Sequence, residues 1–134
     1  MTARKDSIPP QVRAAVEAAY EKQAADVVLL DLKGLGAFTD FFIICTGFSA
    51  RQVEAICDET EKRLEEIGAR LLHREGKPGG DWMLLDFGGL IVHVFTEHAR
   101  RFYDLERLWR VASRVEFPES AEGNALPGAA EAEG

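Results

Sequence analysis

At 134 residues, with 46% hydrophobic and 29% charged residues, the chain has the size of one domain and the composition of an ordinary globular protein. No apolar run approaches the length of a membrane span, and the opening MTARKDSIPP lacks the apolar centre of a signal peptide. The net charge of −7 argues against non-specific nucleic-acid binding, although Glu119, Glu122, Glu131 and Glu133 supply −4 of it and leave −3 for the rest.

Residues 1–9 read as a flexible N-terminus. Pro9 and Pro10 suit the first turn of a helix, where backbone N–H groups have no intrahelical partner. Val12, Val16 and Ala19 recur at helical spacing, which predicts a helix to about Gln23. Asp26–Leu32 is short, β-branched and almost wholly apolar, the pattern of a central strand buried on both faces. Gly34-Leu35-Gly36 is a weak Gly-x-Gly. A phosphate loop needs a helix directly after the glycines, and here the strand-like Thr39–Cys45 follows, so a connector is the better reading.

Ser49 with Gln52 three residues later forms a capping box, and Phe48 and Val53 occupy hydrophobic-staple positions around it. Val53, Ile56, Cys57, Thr60, Leu64 and Ile67 make the buried stripe of the helix that follows, and Gly68 stops it. Cys45 and Cys57 both lie in apolar periodic patterns, as expected of buried thiols in a reduced, cytoplasmic protein. Arg70–Glu75 reads as a short strand near a sheet edge. Two apolar runs, WMLLDF and LIVHVF, flank Gly88-Gly89, a two-residue loop able to take the positive φ of a tight hairpin. Pairing across it sets Asp86 opposite Ile91, Leu84 opposite His93 and Trp82 opposite Phe95. Met83, Leu85, Phe87, Leu90, Val92 and Val94 then share one apolar face, while Trp82, Asp86 and His93 lie on the mixed opposite face. Thr96 opens a last helix, with Phe102, Leu105, Leu108, Trp109 and Ala112 as its stripe and Arg107, Arg110 and Arg114 on another side. From Pro118 the composition predicts a disordered acidic tail, 118–134.

The order helix, strand, strand, helix, three strands, helix predicts a single α/β domain over 10–117. It has a mixed five-stranded sheet, with helices packed mainly on one face and the other partly open. Chemistry is hard to find in it. His73, His93 and His98 lack metal-ligand spacing. Asp86 and His93 are diagonal neighbours roughly 7–8 Å apart at Cα level, without a Ser or Cys to complete a triad. Gly47-Phe48-Ser49 resembles the Gly-Ser turn of nucleotidyltransferases, yet Leu71-Leu72-His73-Arg74 stands where their paired aspartates would be. No catalytic residue, metal or cofactor is expected, and no small-molecule substrate.

An ordered set of strings resembles the ribosome silencing factor family, also called Iojap-related. They are Thr39-Asp40-Phe41-Phe42-Ile43-Ile44, Gly47-x-Ser49-x-Arg51-Gln52-Val53-x-Ala55-Ile56, Glu75-Gly76, Trp82-x-Leu84-Leu85-Asp86, Val92-His93-Val94-Phe95 and Phe102-Tyr103-x-Leu105-Glu106-x-Leu108-Trp109. The resemblance runs from about Pro10 to Trp109. It departs at Gly89, where the family carries an acidic residue. It implies a nucleotidyltransferase-like topology without catalysis. It also implies binding to a basic protein of the large ribosomal subunit, ribosomal protein fourteen, steric blocking of subunit joining, and repression of translation under nutrient limitation. Homodimers occur in the family. The expected partner-binding residues are Glu75, Trp82, Asp86, His93, Tyr103, Glu106 and Trp109, since buried aromatics beside charges make good anchors. Core and interface are equally open for Trp109. Two alternatives are a ribosome assembly factor touching ribosomal RNA through Arg107, Arg110 and Arg114, and a vestigial nucleotidyltransferase.

Overall fold

The computed structural model describes residues 8–76 and 79–118. The proposed acidic tail lies outside them save for Pro118, as do residues 1–7. Helix α1 (Pro10–Glu21) has Pro9 as its N-cap and buries Val12, Val16 and Ala19 as the spacing predicts. Ile8, assigned to the flexible end, packs against the core below α1. Strands β1 (Ala25–Asp31) and β2 (Phe41–Gly47) follow, with β2 buried throughout. In α2 (Ala50–Glu66) the Ser49 hydroxyl accepts from the Gln52 N–H at 3.1 Å. Gln52 answers by accepting from the N–H of Phe48 and donating to the carbonyls of Lys22 and Gln23, so one side chain ties the start of α2 to the end of α1. Two staple and stripe residues stay outside: Phe48 is 62% and Ile67 51% exposed.

Next come β3 (His73–Glu75), β4 (Trp82–Asp86) and β5 (Leu90–Thr96), with Trp82 opposite Phe95, Leu84 opposite His93 and Asp86 opposite Ile91, as derived from the Gly-Gly turn. The end of the chain differs from expectation. Instead of one helix there are α3 (Glu97–Tyr103) and a single turn α4 (Leu105–Leu108), broken by Asp104 in the left-handed region at φ +47°. A sixth strand, β6 (Ser113–Glu116), then pairs antiparallel with β1. The sheet is therefore six-stranded rather than five-stranded, in the order β3-β4-β5-β2-β1-β6. Among the described residues only β2 and β5 run parallel; every other pair is antiparallel.

Two cores form, one on each face. Helices α1 and α2 cover Leu29, Ile43, Cys45, Met83, Leu85, Val92 and Val94. On the opposite face Val28, Leu30, Phe42, Ile44, Ile91 and Phe95 lie with Ala99, Leu105 and Trp109 of the α3–α4 segment. Cys45 and Cys57 are both fully buried on the first side, and burial pushes each thiol up to about 12. Both should resist a thiol reagent in the native protein and react within the dead time of mixing in denaturant, because the thiolate is the reactive form. Fast native labelling of Cys57 would show that α2 lifts from the sheet.

Candidate partner interface

The second face owes its character to strict alternation. Directly opposed residues share a face, so one row crosses five strands: Glu75 on β3, Leu84 on β4, His93 on β5, Ile44 on β2 and Val28 on β1. Its middle is covered by α3–α4. Toward β4 and β3 the cover thins, and Trp82, Leu84 and Asp86 remain partly exposed while Glu75 is exposed.

An aromatic chain links this open half to the core. Trp109 meets Phe42 edge-on at 6.1 Å, and Phe42 meets His93 edge-on at 4.5 Å. The Trp82 indole N–H donates to His93 Nδ1 at 3.1 Å, its ring lying 4.9 Å from Phe95 and 4.7 Å from Tyr103. Tyr103 in turn meets Phe102 edge-on at 5.0 Å. Because Nδ1 accepts, the neutral imidazole carries its proton on Nε2. That Nε2 is buried without a protein partner, and burial lowers the His93 pKa to about 4. His93 is thus a neutral core residue, 3% exposed, that orients Trp82.

The seven expected interface residues therefore divide. Trp82 and Tyr103 touch, the first partly and the second largely exposed. His93 lies beneath them, out of reach of a docking protein. Trp109 is half-buried against Phe42 and belongs to the core side of the chain. Asp86 does not pair with His93. Its carboxylate accepts from the Gly88 N–H at 2.8 Å and so caps the hairpin turn, which makes it partly structural. Glu75 lies on the edge strand beside His73.

Glu106 also differs from expectation. Its carboxylate takes two hydrogen bonds from Arg100, both at 3.0 Å, and one from Arg114 at 2.9 Å. Burial alone would raise its pKa, but these guanidiniums outweigh that and hold the carboxyl below its ordinary range. Arg100 also donates to the Asp26 carbonyl at 2.6 Å and to the Thr46 hydroxyl at 3.0 Å. These groups line an open polar cleft of about 450 Å³ beyond the C-terminal ends of the parallel pair β2–β5. There Arg100 and Arg114 are spent on internal carboxylates and carbonyls, so the cleft offers them to no anion. Arg107 and Arg110, by contrast, are exposed and have no carboxylate partner among the described residues.

Periodicity missed the outward-facing apolar groups: Phe102 is 71%, Leu108 72% and Val111 75% exposed. Phe102 already lies on the outer side of α3, ahead of the break, whereas Leu108 would have stayed on the stripe of Leu105 and Trp109 had one helix run through 104. The break at Asp104 resets the phase, and nothing in the local sequence marks a left-handed aspartate.

A family model described as "Ribosomal silencing factor during starvation" matches residues 5–133. A ribosomal silencing factor from Halalkalibacterium halodurans is 43% identical over 103 residues, 77% of this chain and 88% of its own length. A crystal structure of a Chromobacterium violaceum protein superposes with a TM-score of 0.72 at 34% identity, covering 75% of this chain and 83% of that one. A mouse protein named for mitochondrial assembly of the ribosomal large subunit is 29% identical over 96 residues, 69% of this chain and 42% of its own.

Proposed function

Because the chain belongs to the ribosomal silencing factor family, we propose that it binds the large ribosomal subunit through basic ribosomal protein fourteen and blocks small-subunit joining by occupying the joining face. It would thereby repress translation when nutrients are scarce, as a steric factor rather than an enzyme. The observation that carries the reading is the half-covered sheet face. Trp82 and Tyr103 meet on its open half, Phe102 extends the apolar surface outward, and the carboxylates of Glu75 and Asp86 lie at its margin. Aromatic anchors with an acidic rim suit a basic protein partner. The mouse relative's name supports a large-subunit partner. A homodimer in solution belongs to the same reading.

Sedimentation of purified subunits tests it. With the protein in excess, subunits that otherwise associate should run apart, and the protein should travel with the large one. Co-migration with the small subunit, or undisturbed association, overturns the proposal. Tyr103→Ala should weaken binding to ribosomal protein fourteen by about 1–3 kcal/mol, the range of a truncated interface anchor. Since Tyr103 is 51% exposed, its melting temperature should move by only a few degrees. Calorimetric titration beside a melting curve separates the two effects.

Arg107 and Arg110 favour a secondary contact with ribosomal RNA, being exposed and free of carboxylate partners. Arg114, bound by Glu106 and Glu116, lends that contact no support.

A further inference from the structure

We propose that Glu97–Ala112 is a strap that opens from the sheet as one unit, and that the Arg100 guanidinium is its latch. Within this segment only Ala99 is buried. Leu105, Trp109 and Ala112 rest partly on the second core, while Phe102, Leu108 and Val111 face away. Apolar burial alone therefore holds the strap weakly compared with β2 or β5, whose side chains are buried almost throughout.

What fastens it is polar and concentrated. Arg100 reaches β1 through the Asp26 carbonyl, β2 through Thr46, and α4 through both oxygens of Glu106. Glu106 passes the connection to Arg114 on β6, just beyond the strap. One side chain thus joins both halves of the strap to two strands of the sheet.

Three features oppose closure. Asp104 sits left-handed in the middle of the strap at φ +47°. Asp26, whose carbonyl receives Arg100, is left-handed too, at φ +51°, within the register shift of β1. The His93 Nε2–H is buried without a protein acceptor beside Phe42 and Phe95, the rings that Trp109 and Tyr103 of the strap touch. Opening would let water reach His93 and would uncover Phe42, His93 and Phe95. A closed state held by one concentrated polar cluster against these costs is poised to open.

Amide hydrogen exchange on the full chain tests it. The reporters are the Asp104, Trp109 and Ala112 amides, which bond to Arg100, Leu105 and Trp109 carbonyls within the strap and lose those bonds once it leaves the sheet, because helices of seven and four residues do not persist alone. They should exchange together, and faster than the amides of β2 and β5. Arg100→Gln should accelerate them at least tenfold and leave the central strands unchanged. Arg100→Lys, which keeps the charge but cannot span Asp26, Thr46 and Glu106 at once, should fall between. If Arg100→Gln does not fold, Glu106→Gln serves, with a several-fold acceleration confined to the same amides. Strap and central strands exchanging alike in the unmodified protein would overturn the proposal. So would variants that speed both equally or leave the strap unchanged.

Discussion

Replacing Gly76 by alanine is expected to cost about 3 kcal/mol, the combined scale of a forced backbone conformation and an overpacked contact. Gly76 sits between β3 and β4 at φ +116°, where an L side chain is strained whatever the space. The space is also taken. A Cβ there would fall 2.6 Å from the Trp82 carbonyl oxygen and 2.5 Å from the Met83 sulfur. The sulfur can swing aside, but the carbonyl belongs to β4 and cannot move without disturbing its pairing with β5. Gly79→Ala isolates the contact, because Gly79 also has positive φ, at +81°, but open surroundings. It should cost about 1 kcal/mol, through backbone strain alone. Urea unfolding of both variants checks the difference, with the midpoint shifting and the m-value unchanged. Equal shifts would mean that the β3–β4 connection yields. Because Trp82 is the residue whose carbonyl is struck, Gly76→Ala should also weaken partner binding among molecules still folded.

Acidification should destabilise the protein well before its carboxylates protonate. His93 titrates at about 4 in the folded chain and near 6.5 when unfolded. Above pH 6.5 both states hold it neutral, and it contributes no pH dependence. Between pH 6.5 and about 4 the unfolded chain binds a proton that the native one refuses. Stability then falls by about 1.4 kcal/mol per pH unit, a total of about 3 kcal/mol. The carboxyl of Glu106, lowered in the fold, adds its loss only below its ordinary value of 4.5. His93→Gln keeps an acceptor for the Trp82 indole and removes the titration. Its stability should therefore be nearly flat from pH 6.5 to 5, where the parent loses about 2 kcal/mol. Denaturant titrations at several pH values decide the matter, and parallel pH profiles would show that His93 is not the group responsible.

The parts legible in the sequence are those where a local rule decides. Gly88-Gly89 sets the hairpin turn, and period-two alternation then sorts Met83, Leu85 and Phe87 from Trp82, Leu84 and Asp86 without appeal to the rest of the fold. Ser49 and Gln52 mark the start of α2 because capping is a contact among neighbours. The illegible parts depend on distant partners. Ser113-Arg114-Val115-Glu116 has a single apolar residue and becomes a strand because the exposed edge of β1 needs a neighbour. His93 reads as polar, and Phe42, Trp82 and Phe95, brought around it by three strands, make it a core residue. Glu106 reads as a surface charge for the same reason, since its guanidinium partners come from α3 and β6. Trp82, Tyr103 and Trp109 stand out by residue type, but which of them lies open and which packs against the core depends on tertiary contacts.

The position of β6 bears on how the chain acquires its structure as it is made. Strand β1 leaves the tunnel well before β6, yet Leu29 pairs with Val115. The central parallel partner of β2 is likewise late, since Phe41 must wait for Leu90. Until then, α1, β1, β2 and α2 can associate, but β1 keeps one unpaired edge and β2 the other. Closing such long loops is entropically slow, and apolar strands with open edges invite wrong partners meanwhile. The last strand among the described residues thus seals the first, and a nascent chain halted before Ser113 leaves that edge of β1 open and adhesive.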